Sequence, residues 1–188
     1  MIEYFCGLKF TLLSSFQELD LLPALQKALQ DIGFETPTEI QSKAIPALDE
    51  YPQDFIGLAK TGTGKTAAFG LPLLNQIDVQ KKHVQGVIIA PTRELVQQIT
   101  KELKNFGKYI RGFKITAVYG GASIVAQMKE IRKDKPQIIV ASPGRLIDLS
   151  GRGVVKLDQI HTVILDEADE MLNMGFQEDI DKILEYTP

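Results

Sequence analysis

Lys65 and Thr66 close the run Ala59-Lys60-Thr61-Gly62-Thr63-Gly64-Lys65-Thr66, whose residue types suit a polyphosphate. Gly62 and Gly64 free the backbone to turn its N–H groups inward, and a helix starting beside Lys65 adds the positive end of its dipole. Lys65 then reaches the β- and γ-phosphates, and the Thr66 hydroxyl supplies a ligand for Mg2+. The run fits the phosphate-loop pattern except at Ala59, which stands where the pattern has its first glycine. A second group lies far along the chain. Asp166-Glu167 follows the apolar run Val163-Ile164-Leu165. A carboxylate at the end of a buried strand anchors magnesium in such sites, and its neighbour can orient or deprotonate water, so Lys65, Asp166 and Glu167 form the candidate catalytic set. The plainer alternatives are a glycine-rich strand-to-helix turn and an acidic helix start stabilised by its dipole.

Positioning these groups requires a sheet. Short β-branched or apolar runs at 55–59, 87–90, 115–119, 138–141 and 163–165 read as buried strands. Helical patterns at 66–76, 94–108, 122–133 and 145–149 alternate with them, which predicts a mostly parallel sheet with helices on both faces. Two further helices are expected at 21–31 and 39–48, with Gly33 stopping the first and Thr38 capping the second. In open α/β sheets ligands gather beyond the carboxyl ends of the strands. The polar segments 60–66, 91–94, 120–121, 142–145 and 166–169 each follow one of the five runs.

Composition limits the function classes. The chain has 188 residues, 44% hydrophobic and 24% charged, enough for one globular domain. A net charge of -3 excludes a global basic footprint, so contact with a polyanion must be local. Lys101, Lys104, Lys108, Arg111 and Lys114 make a basic stretch that reads first as a solvated face. From Asp166 onward eight carboxylates are opposed only by Lys182. One cysteine, Cys6, excludes an internal disulfide, and His83 and His161 lack metal-spaced neighbours. No run reaches the roughly 18 apolar residues of a membrane span, and residues 1–15 carry no legible signal. A soluble, cytoplasmic, monomeric chain without membrane contact is expected.

Asp166-Glu167-Ala168-Asp169 and the motifs preceding it resemble the DEAD-box ATP-dependent RNA helicases. The matches occur in family order: Gly33 to Gln41 as the Q motif, the phosphate loop, Pro91-Thr92-Arg93-Glu94-Leu95, Gly120-Gly121, Ser142-Pro143-Gly144-Arg145 and the acidic tetrad. Phe16 stands at the family's upstream aromatic position. The resemblance covers 16–188 and implies the N-terminal RecA-like ATP-binding domain, an α/β P-loop fold, with a second RecA-like domain elsewhere in the full-length chain.

That resemblance implies ATP and Mg2+ as cofactors, held by Phe16, Phe34, Gln41, Thr61, Gly62, Thr63, Gly64, Lys65 and Thr66, with Thr66 and Asp166 on the metal. A glutamine amide suits the donor and acceptor edge of adenine, and an aromatic ring stacks on the base. Arg93, Gly121, Ser142, Gly144 and Arg145 are implied as contacts to the RNA backbone, which carry no base information. Ser142 departs from the family's usual threonine but keeps the hydroxyl. The expected activity is RNA-stimulated ATP hydrolysis coupled to local duplex unwinding, nearly absent from this portion alone. The alternatives are a nucleotide-gated RNA-binding module without turnover and another P-loop remodelling ATPase.

Overall fold

Apolar β-branched runs in the second half of the chain pair as β1 (Gly86–Ile89), β2 (Ile115–Val118), β3 (Ile138–Ala141) and β4 (Thr162–Leu165). The computed structural model describes residues 13–50, 54–60 and 62–188. These group into two compact units, one ending at Asn75 and the other running Gln76–Pro188.

In the second unit all pairings are parallel, in the order β2-β3-β1-β4. The connecting helices are α4 (Arg93–Phe106), α5 (Ile124–Asp134) and α6 (Pro143–Gly151), followed by α7 (Ala168–Asn173) and α8 (Gln177–Glu185). β1 and β3 are buried throughout, as continuous apolar runs between two helical layers should be. Val87, Ile89, Ile139 and Ala141 enter one core with Leu146 and Leu149 of α6, Met171 of α7 and Ile180 and Ile183 of α8. Ile88, Ile138 and Val140 point to the opposite face by strand alternation. α4 packs against β2 and β3 and buries Val96, Ile99, Thr100, Leu103 and Phe106, a helical stripe of about one face. Lys101, Lys104, Lys108, Arg111 and Lys114 are all exposed.

The first unit holds α1 (Pro23–Asp31), α2 (Glu39–Glu50) and α3 (Lys65–Gln76). α1 ends where Gly33 takes φ 75°, with Gly33 N–H donating to Gln30 O and Phe34 N–H to Leu29 O. This paired closure is the left-handed glycine stop anticipated for that position, and it aims Phe34. Asn75, at the end of α3, accepts from Leu22 N–H and donates to Asp20 O, fixing the segment before α1.

Two expectations need correction. Residues 55–59 do not form a strand: they pair with no described strand, and Ile56 and Leu58 are 85% and 87% exposed. Apolar β-branched character makes a segment fit for a sheet, but a strand exists only when a neighbour takes up its N–H and C=O groups. β4 is half-buried along its length instead of buried, with β1 on one side and no described strand on the other. No helix among the described residues is long and apolar enough to cross a membrane.

Candidate functional site

In the first unit, hydrogen bonds tie the start of α2 to the glycine-containing loop before α3. Thr38 and Gln41 have the spacing of a helix capping box, and half of it forms: Thr38 N–H donates to Gln41 Oε1 at 2.9 Å. The Thr38 hydroxyl donates instead to Thr63 O at 2.9 Å, and Gln41 Nε2 donates to Gly64 O at 3.1 Å. The Thr63 hydroxyl donates to Lys60 O at 2.7 Å. Gln41, 2% exposed, thus spends its amide on the loop, so meeting an adenine edge requires exchanging these bonds. Gly64 is demanded twice. Its φ is +86°, and a Cβ there would stand 2.2 Å from Gln41 Nε2. Gly62 needs only the conformation, φ +79°, with open space around it.

Lys65 and Thr66 are the first two residues of α3 and are half-buried, where a helix N-terminus favours an anion. Phe16 is 4% exposed and packs its ring 5.7 Å from that of Phe34, centroid to centroid, tilted by 48°. Phe34 is half-buried, so Phe16 backs the more accessible ring. Thr61 lies outside the described residues.

In the second unit the parallel register brings the remaining motifs to one edge of the sheet. Ile89 is level with both Ala141 and Leu165, and Val118 with Ala141, so all four strands end together. Asp166 continues the ladder through N–H to Ile89 O at 2.9 Å and is 9% exposed. Glu167 then turns into α7 with φ 54° and ψ 48°, a left-handed conformation that costs a non-glycine residue about 1 to 2 kcal/mol. Backbone strain of this kind concentrates at working positions.

Arg93 opens α4 after Thr92, whose hydroxyl accepts from Leu95 N–H. The Arg93 side chain is exposed, with its guanidinium carbon 5.4 Å from the centroid of the Tyr119 ring. Gly121 is exposed, and its φ of +79° sets the turn after β2. Ser142, half-buried, caps α6 by position without a side-chain capping bond, and Gly144 is exposed. Arg145 points inward: Nη1 donates to Gln127 Oε1 and Nη2 to Ala122 O at 3.1 Å. Tyr119 and Gln127 belong to no motif, and their partners are distant in sequence, so nothing in the residue pattern singles them out.

The described residues contain no group of three or more His, Cys, Asp or Glu suited to a metal. A magnesium ion carried on nucleotide phosphates needs only one or two protein oxygens, and the Thr66 hydroxyl and Asp166 carboxylate are hard donors of that kind. Burial, then the charges of Lys81 and His83, push the His161 imidazole below its usual range, so it is neutral at neutral pH.

The family model described as DEAD/DEAH box helicase matches residues 38–188. The chain is 47% identical over 176 residues to a DEAD-box ATP-dependent RNA helicase CshA of Geobacillus kaustophilus, covering 94% of this chain and 37% of that protein. It is 51% identical over 173 residues to an ATP-dependent RNA helicase CshA of Limosilactobacillus reuteri, covering 92% of this chain and 34% of the relative. It therefore spans about a third of the length of these curated relatives. Among solved structures, a DEAD box protein from Methanococcus jannaschii matches with TM-score 0.86 and 39% identity, over 93% of this chain and 47% of that one. The fold is RecA-like, a mostly parallel sheet flanked by helices. The chain belongs to the DEAD/DEAH box helicase family.

Proposed function

We propose that residues 16–188 are the N-terminal RecA-like ATP-binding domain of a cytoplasmic RNA helicase. In the full-length protein this domain works with a second RecA-like domain. Together they couple ATP binding and hydrolysis to sequence-independent RNA binding and local duplex unwinding. The observation that carries the reading is the common edge of the sheet, where the segments bearing Arg93, Gly121, Ser142, Gly144 and Arg145 emerge beside Asp166-Glu167.

Each residue has a distinct task. Phe34, backed by Phe16, and Gln41 receive the adenine. Thr61 to Gly64 present backbone N–H groups to the phosphates, and Lys65 neutralises the β and γ charge. Thr66 and Asp166 would hold magnesium, which would supply Lewis-acid polarisation of the terminal phosphate and offset its charge. Glu167 orients the attacking water and takes its proton. Arg93 and Arg145 give charge-assisted bonds to RNA phosphates, Gly121 and Gly144 allow close backbone approach, and Ser142 offers a hydroxyl. Arg145 has more N–H donors than its internal bonds use, so it can hold its loop and still meet phosphate. The 188-residue chain alone binds nucleotide but turns it over slowly, because the arginine finger of the second domain supplies about 10³ to 10⁵ in rate.

The phosphate-contact assignment is tested with Arg93→Ala in the full-length protein. RNA affinity falls, and the slope of log affinity against log salt becomes shallower by about 0.7, the loss of one single-strand phosphate contact. An unchanged slope in a salt series of anisotropy titrations removes Arg93 from the RNA surface.

A further inference from the structure

Three segments assigned above to RNA are joined by two residues outside every motif. Tyr119, directly after β2 and just before Gly120-Gly121, lies under the Arg93 guanidinium and accepts a hydrogen bond on its hydroxyl from Gln97 Nε2 of α4 at 2.7 Å. Its backbone carbonyl accepts from Gln127 Nε2 at 3.3 Å. Gln127, on α5 and 6% exposed, uses its other end as the acceptor for Arg145 Nη1. Arg145 Nη2 returns to Ala122 O, directly after the glycine pair. The result is a continuous path from Arg93 through Tyr119 and Gln127 to Arg145, closing around the loop 120–122.

A buried amide satisfied at both ends is orientationally fixed, because turning it over would set a donor against the guanidinium and an acceptor against a carbonyl. Arg145 alone could adopt many rotamers, and the loop after β2 carries a glycine pair with no side chains to brace it. Gln127 removes both freedoms at once. Binding groups fixed beforehand lose less entropy on meeting a ligand, so the gain appears as affinity.

We infer that Gln127 and Tyr119 are positioning residues that hold Arg93, the Gly120-Gly121 turn and Arg145 as one preorganised RNA-backbone clamp. This rests on the RNA-binding reading proposed above. Gln127 touches no RNA; it acts through Arg145 and the turn. Tyr119 acts through Arg93 and Gln97.

The test uses the full-length protein, a fluorescent single-stranded RNA of mixed sequence, and a fluorescent ADP titration in parallel. Gln127→Met keeps the side-chain length and removes both hydrogen bonds; RNA affinity is expected to fall about tenfold while ADP affinity stays unchanged. Gln127→Glu restores an acceptor for Arg145 and recovers most of that loss. Combining Gln127→Met with Arg145→Ala weakens binding no further than Arg145→Ala alone, because the two residues act as a unit. Tyr119→Phe keeps the ring under Arg93 but frees Gln97, and lowers RNA affinity less than Gln127→Met does. Wild-type RNA affinity in a folded Gln127→Met protein overturns the inference, as do losses that multiply in the double variant. Should Gln127→Met fail to fold by circular dichroism, Gln127→Leu takes its place in the same comparison: a loss of RNA affinity that vanishes in the Arg145→Ala background supports the clamp, and one that is absent or persists there overturns it. Absence of RNA binding by the unmodified full-length protein would instead overturn the functional reading on which the clamp rests.

Discussion

Lys65→Ala lowers nucleotide affinity by about 3 kcal/mol, on the order of a hundredfold, in a fluorescent-ADP titration. The magnitude follows from what the residue has to supply. Charge-assisted hydrogen bonds contribute about 1.5 to 3 kcal/mol each, and the alanine also removes the only cation in the run Gly62 to Thr66. Alanine is a strong helix former, so the first turn of α3 should persist and the loss should be confined to binding. Thermal unfolding without nucleotide should therefore be nearly unchanged, while the rise in melting temperature on adding nucleotide disappears. Affinity within about threefold of the unmodified chain, a difference under 1 kcal/mol, would remove Lys65 from the phosphate site.

The second large effect belongs to Glu167. In the full-length protein Glu167→Gln is expected to reduce RNA-stimulated ATP hydrolysis by about 10² to 10⁴, the range a positioned general base supplies. Glutamine matches glutamate in size and can still orient a water, but it cannot take a proton. It must also accept the left-handed backbone at this position, a strain that glutamate already bears. Folding and nucleotide affinity should therefore survive. That combination separates a chemical role from a structural one, since a merely structural Glu167 would show its effect in stability. Retained turnover in this variant would favour a base elsewhere.

How far residue pattern alone reaches depends on whether the determining interactions are local. Gly33 as the stop of α1 was legible because a left-handed glycine after a helix is a short-range event. β1 and β3 were legible because a strand covered on both faces must be apolar without alternation. Residues 55–59 carry a similar pattern and form no strand, since the pattern describes a segment's fitness for a sheet and not the presence of a neighbour. α8 was obscured by its own charge: Ile180 and Ile183 are buried at helical spacing within a run dominated by carboxylates. At the candidate site, the turn at Gly62 and Gly64 was readable from local chemistry, since both take positive φ. The inward turn of Arg145 was not, because its partner Gln127 lies 18 residues earlier on another helix. The engagement of Gln41 with Gly64 has the same origin, a contact across 23 residues.

Coupling between nucleotide and RNA is the central claim, and it is a statement about free energies that must be reciprocal. RNA affinity of the full-length protein, measured by anisotropy at fixed salt with and without a saturating non-hydrolysable ATP analogue, tests it most directly. Binding should tighten by about tenfold or more with the analogue, within the usual range of roughly 5- to 150-fold for such coupling, and RNA should tighten analogue binding by the same factor. RNA affinity indifferent to the analogue would contradict a coupled site and leave two independent binding functions on one chain.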